Sequence, residues 1–240
     1  MGKRVPNPAD RAITTDAIRQ AIPLFLPAIP FALVLGVAIS ESAMPTPVAW
    51  STNVLVFAGA AQLATVSLAA TATWITLVAT AAVINLRHVM YSAALAPRFT
   101  DQPRWFRWIG PFLLIDQVFA LTTARDDLSA SEWRRSFLTT GLFFFATWNV
   151  LVTFGLVAGS AIPADWRLDV APAVMFAGLV TVGITNRPGV VAAITGAVVC
   201  FAALEVPSNG GILIGAVSGV IAGYLADVAQ NRGRGGEVPT

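Results

Sequence analysis

Charge is scarce in this chain: Asp, Glu, Lys and Arg make up 12% of its 240 residues, while 56% are hydrophobic and the mean hydropathy is +0.71. That balance excludes the soluble globular classes and belongs to an integral membrane protein. Cysteine is reduced to Cys200 and histidine to His88. One cysteine rules out an intrachain disulfide, and the pair leaves no His/Cys set for a conventional zinc site. There is no GxxxxGK[ST] loop, so the sequence offers no ATP site of that kind. Basic residues give a net charge of +2, but they are scattered at the ends of apolar runs and form no stripe for nucleic acid. No metal and no cofactor are expected.

What is abundant is apolar sequence in runs of 17 to 25 residues, each long enough to cross a hydrocarbon core of about 30 Å. The reading is all-α: a polytopic membrane helix bundle with spans near 21–40, 48–70, 74–96, 107–124, 137–160, 169–186, 188–206 and 210–229. Residues 1–19 read as a cytoplasmic N-terminal tail, 20–229 as one transmembrane domain and 230–240 as a cytoplasmic C-terminal tail. The first 19 residues are too polar and too long for the basic start of a signal peptide, so the run after them reads as a retained span. Pro23, Pro27 and Pro30 bend it and free backbone carbonyls. The span at 107–124 is the weakest, because it contains Arg107, Pro111 and Asp116. With eight spans and both termini cytoplasmic, ten basic residues fall inside against four outside, in line with the positive-inside rule.

Trp50, Trp74, Trp105, Trp108, Trp133 and Trp166 fall near the starts of these spans, where amphipathic rings suit the headgroup level. Trp148 alone lies within a span, where it either fills a packing gap, the more ordinary role, or lines a cavity. Gly211, Gly215, Gly219 and Gly223 recur every four residues on the last run and make a smooth face for close helix packing, within the chain or with another subunit. "FAG" at 57–59 and again at 176–178 raises an internal repeat of two four-helix halves, a common plan in transporters.

Polar residues concentrate in "VINLRHVMYSAAL", residues 83–95. On one continuous helix Asn85, His88 and Ser92 share a strip, with Arg87 and Tyr91 alongside it. A charge near the bilayer centre costs at least about 2.5–3.5 kcal/mol on insertion scales, so such residues face an interior and carry function by default. Arg87 needs an anionic partner, and Asp116 is the best internal candidate; a bridge that only pins two helices is the plain alternative. His88 either relays a proton or is a neutral hydrogen-bonded side chain. Ser92, His88 and Asp116 supply the residue types of a hydrolase triad, but no nucleophile-elbow signature supports an enzyme. Gln62, after Gly59 and three alanines, either faces a substrate or bonds between helices.

The ordered set "FAGAAQ", "INLRHVMYSAAL.P" and "LLIDQVFAL" resembles the AzlC family, the larger subunits of branched-chain amino acid exporters, over about residues 20–125. The resemblance implies export of Val, Leu, Ile and in some cases Met from a bacterial cell, across the plasma (inner) membrane, together with a small AzlD-type membrane subunit. It places the family's motif residues on Phe57 to Gln62, on Asn85, Arg87, His88, Tyr91 and Ser92, and on Asp116, Phe119 and Ala120. Many members carry an acid directly after that aspartate; this chain has Gln117. The candidate transport residues are therefore Gly59, Gln62, Asn85, Arg87, His88, Tyr91, Ser92, Asp116 and Gln117. A zwitterion would set its carboxylate on Arg87 and its ammonium on Asp116. The competing reading is a non-transporting membrane scaffold whose glycine face assembles a complex.

Overall fold

A computed structural model of the chain describes residues 8–123, 125–159, 184, 186–206 and 210–234. Among these the secondary structure is helical, without strands. Two compact units, Met1–Leu179 and Val180–Thr240, are described in turn. The expected span at 169–186, the second "FAG" and Trp166 fall outside the described residues or nearly so.

The first unit is built on its longest helix. It holds nine helices among the described residues: α1 (Pro8–Phe25), α2 (Ala28–Glu41), α3 (Thr46–Leu55), α4 (Gly59–Leu68), α5 (Trp74–Asn85), α6 (Arg87–Thr100), α7 (Arg104–Ile109), α8 (Asp116–Thr123) and α9 (Ala130–Ala158). Helix α9 starts at Ser129, whose amide donates to Glu132 Oε2 at 3.0 Å in a capping box. Its 29 apolar-rich residues are enough to cross a membrane alone. Helix α2 runs beside α9 in the same direction, with Phe31 edge-on to Trp148 and Gly159 next to Ser40. Two glycines permit that approach: a Cβ on Gly36 would overlap the Val152 carbonyl, and one on Gly155 would lie 2.5 Å from the Leu33 carbonyl oxygen.

Helices α1 and α2 are one path bent by 64° at Leu26–Pro27, where proline breaks the hydrogen-bond ladder. Helix α1 begins well inside the stretch expected as a tail. Its acids are held by α9 and the connection before it, with Asp10 2.8 Å from Arg135 on α9 and Asp16 2.9 Å from Arg125 in that connection.

The expected span 48–70 is two helices that fold back on each other rather than one straight helix. Helix α3 runs back along α9, with Trp50 Nε1 donating to Thr153 Oγ1 at 3.0 Å and Phe57 packing edge-on against Phe145. The chain then turns at 56–58, where Phe57 has φ +41°, and α4 returns until the Val66 carbonyl accepts from Ser42 Oγ. Both ends of this hairpin therefore lie at the far end of α2. A left-handed non-glycine residue costs about 1–3 kcal/mol, and here the Phe57 ring is fixed by Phe112 and Phe145. The amide of Gln62 bridges the break by donating to Asn53 Oδ1 at 2.8 Å.

Helices α5 and α6 form a second bent path, kinked by 40° at Leu86. It ends beside the start of α9, where Arg98 donates to Asp126 Oδ1 at 2.7 Å and to the Arg125 carbonyl at 2.8 Å. The expected span 107–124 leaves from there and comes back. Phe106 packs on Phe99 and Phe137, and a 3-10 turn over Gly110–Leu113 carries Leu113 against Gly141. Helix α8 then returns until the Thr122 carbonyl accepts from Trp133 Nε1 at 3.0 Å. Trp133 is accordingly buried in the bundle, not set at a headgroup belt. Trp74, Trp105 and Trp108 are exposed.

These contacts correct the eight straight spans. One described helix is long and apolar enough to cross a membrane, and the two bent paths raise the number to three. They also correct the charge partition, since Arg98 was expected on the opposite side from Arg125 and instead binds its carbonyl. A repeat is visible inside the first unit itself, while the expected one of two four-helix halves involves residues outside those described. A bent path followed by a hairpin occurs twice, over 8–68 and 74–123, with the two copies running in opposite directions. Gly59 follows Ala28 by 31 residues and Asp116 follows Arg87 by 29, so the four helix starts match in spacing.

The second unit is an antiparallel pair, α10 (Arg187–Ala202) and α11 (Gly210–Arg234). Asn186 caps α10 by accepting from the Gly189 amide at 2.8 Å. The glycine face packs within the chain. A Cβ on Gly211 would overlap the Ala203 carbonyl; on Gly215 or Gly219 it would lie 2.7 Å from the Gly196 or Ala192 carbonyl oxygen, and on Gly223 2.8 Å from Ala192 Cβ.

Candidate functional site

Four helices of the first unit begin around one cavity. Ala28 opens α2, Gly59 opens α4, Arg87 opens α6 and Asp116 opens α8, and all four residues line it. A helix start leaves backbone N–H groups without intrahelical acceptors and carries partial positive charge. Four such starts at one place make a polar centre inside an otherwise apolar bundle.

The anion that answers them is Asp116. Arg87 Nη1 lies 3.0 Å from its Oδ2, and Tyr91 donates its hydroxyl to Oδ1 at 2.8 Å. The Tyr91 ring is stacked on Phe119 with centroids 4.3 Å apart, which fixes the hydroxyl. Position helps as well, since a carboxylate at the first residue of a helix is stabilised by its own dipole. The Arg87 and Asp116 side chains are only 20% and 11% exposed, so the pair is largely removed from solvent and close to neutral as a unit.

His88 lines the same cavity. Its Nδ1 is 3.2 Å from the Asn85 carbonyl oxygen. A carbonyl only accepts, so Nδ1 carries the hydrogen and Nε2 is left to exchange a proton. Asn85 closes α5 beside it and keeps its side-chain oxygen buried without a partner. Gln117, next to Asp116, is buried on the wall.

Two expected residues fall elsewhere. Gln62 is buried in its bond to Asn53 and does not line the cavity. Ser92 is exposed and lines a separate groove with Arg107 and Pro111. The cavity meets only the first residues of α6, Arg87 and His88, and Ser92 lies one turn further along the same helix.

The apolar wall was not foreseen. Phe31, Phe57, Ile115, Phe144 and Trp148 supply it, so Trp148 lines a cavity in addition to packing on Phe31. Its position inside a long apolar run was the available signal. The cavity is about 30 Å³, room for about one water, against several hundred Å³ for typical ligand pockets. It is partly open to its surroundings, and an occupant larger than water requires its walls to move apart. Outside it, Arg125 holds the Asp127 carboxyl below the usual carboxylate range.

Broken helices that reach a buried, compensated ion pair from opposite ends, within an apolar helical bundle, define a membrane protein related to transport. The chain belongs to the AzlC family: the family model, described as AzlC protein, matches residues 23–162, more than half of the sequence. An uncharacterized membrane protein of Archaeoglobus fulgidus is 28% identical over 165 residues, covering 69% of this chain and 70% of that protein. No solved structure matches.

Proposed function

We propose that this chain is the large subunit of a secondary exporter of branched-chain amino acids, multi-pass in a bacterial plasma membrane and working with a small AzlD-type membrane subunit. One observation carries the reading: a charge-compensated Arg87–Asp116 pair in a small cavity with an aromatic wall between two oppositely directed hairpins. A zwitterion has an ammonium for Asp116 and a carboxylate for the hydrogen-bond donors around the pair, and an aliphatic side chain suits the apolar wall. Opposed hairpins supply one gate toward each side of the membrane, as alternating access requires. His88 or Asp116 carries the proton if export is coupled to the proton gradient.

The orientation follows from charge. In residues 8–159 every arginine except Arg87 lies at the end where α1 and α9 begin or within about three turns of it, and the connections 42–45 and 69–73 at the other end have no Lys or Arg. The positive-inside rule makes the charged end cytoplasmic, with the N-terminus on that side. In the second unit Arg187 and the arginines closing α11 share one end of the hairpin, and the same rule supports reading that end as cytoplasmic.

Counterflow of labelled valine, leucine, isoleucine and methionine in vesicles, with and without the small subunit, tests the function. Uptake against preloaded unlabelled amino acid is expected with the full complex. Absence of counterflow for all four substrates in folded protein overturns it, and a rate indifferent to uncouplers removes the proton-coupled version.

A further inference from the structure

We infer that the start of α4 together with the indole N–H of Trp148 forms a carboxylate-binding subsite, separate from the Arg87–Asp116 pair. Arg87 is the obvious anion receptor, yet Asp116 already occupies its Nη1 at 3.0 Å. An incoming carboxylate that took Arg87 would have to displace that internal one. The cavity offers another set of donors. Helix α4 has 10 residues, and Ala58 before it gives no side-chain cap, so the first amides of the helix are left for an anion. Gly59 and Ala60 at that start line the cavity.

Trp148 is the independent observation. It is 7% exposed, lines the same cavity, and its Nε1 has no hydrogen-bond partner. A buried indole N–H ordinarily finds an acceptor, and leaving it unsatisfied is costly. Its direction is set by packing. A Cβ built on Gly59 would lie 2.9 Å from Trp148 Cη2 and 3.0 Å from Cζ2, so this edge of the indole meets the helix start. Nε1 is bonded to the same ring carbon as Cζ2 and therefore lies along that edge. Uncapped backbone amides and an unpartnered indole N–H thus lie side by side on the cavity wall.

The chemistry suits the α-carboxylate of an amino acid. Its ammonium then falls to Asp116, and its side chain to Phe31, Phe57 and Phe144. Glycine at position 59 is required because any side chain would enter the space between Trp148 and Phe31. This division of roles rests on the transport reading for the identity of the ligand, whereas the subsite itself is defined by carboxylate chemistry.

The test separates the two. Purified full-length protein in lipid nanodiscs is titrated with isovalerate, a carboxylate without an ammonium, and with isovaleramide, its neutral counterpart of the same shape. Isovalerate is expected to bind about tenfold or more tightly than the amide, the scale of a lost hydrogen bond to a charged group. Trp148→Phe, which keeps the ring and loses the donor, is expected to reduce that preference to about threefold or less, and Gly59→Ala to weaken both ligands. Equal binding of acid and amide by the parent protein, no detectable isovalerate binding, or full acid preference in Trp148→Phe overturns the subsite. The parent comparison needs no variant to fold. Acid preference without amino acid counterflow leaves the subsite standing and removes the exporter.

Discussion

Arg87 Nη1 lies 3.0 Å from Asp116 Oδ2, and each residue is the first of its helix, α6 and α8. The bridge joins the kink of a bent path to the tip of a hairpin, so it sets the geometry of the cavity and also its charge. Breaking one partner of a buried pair costs about 3–5 kcal/mol because the other charge is left uncompensated. Arg87→Gln and Asp116→Asn are each expected to lower the thermal midpoint markedly and to abolish valine counterflow. The double variant regains most of the stability without regaining transport. Melting curves and counterflow on the same preparations check this; single variants as stable as the parent would contradict it.

Tyr91→Phe separates hydrogen bonding from stacking. The ring remains on Phe119, and the hydroxyl that donates to Asp116 at 2.8 Å is removed. A hydrogen bond to a charged group contributes about 1.5–3 kcal/mol. The expected outcome is a moderate loss of stability and a fall in the valine transport rate, measured by thermal melting and initial-rate uptake.

The seam between α2 and α9 depends on having no side chains at two points. Gly36→Ala forces a methyl group into the Val152 carbonyl, and backbone there cannot yield cheaply. Overpacking of this kind costs about 1–3 kcal/mol. At Gly159 the nearest atom to an added Cβ is Ser40 Oγ at 3.2 Å, a side chain able to rotate. Gly36→Ala should therefore lower the melting temperature clearly more than Gly159→Ala.

Hairpin against span is decided by thiol labelling. In a Cys200→Ala background, cysteines at Asp101 and Asp127 are expected to react with a membrane-impermeant maleimide from one and the same face, and a cysteine at Thr71 from the other. All three positions are exposed; Asp101 and Asp127 flank the hairpin at the charged end, whereas Thr71 lies between α4 and α5. Labelling of Asp101→Cys and Asp127→Cys from opposite faces would show that residues 104–123 cross after all.

The helical class and membrane setting were legible in the sequence because composition decides them. The Arg87–Asp116 pair was legible too, since Asp116 is the best placed acid for an arginine so deep in apolar sequence. The hairpins were not. A run such as 48–70 has the length and hydropathy of a span, and those quantities are identical for two short helices that turn back on themselves. The turn at Phe57 takes a left-handed backbone without the glycine that would announce it. A helical wheel puts Ser92 on the strip of His88 but does not say how far along the helix a cavity reaches, and this one ends at the first turn of α6. Trp148 was seen as an oddity, but its unmet N–H depends on what α4 leaves open beside it.

The placement of the helix breaks bears on leakage. All four lie at one level around the cavity, so the backbone polarity of the first unit is gathered into a thin layer with apolar packing on either side. Because the two hairpins arrive from opposite ends, withdrawing either tip uncovers that layer toward one end only. A continuous water path through this unit would need both tips withdrawn together.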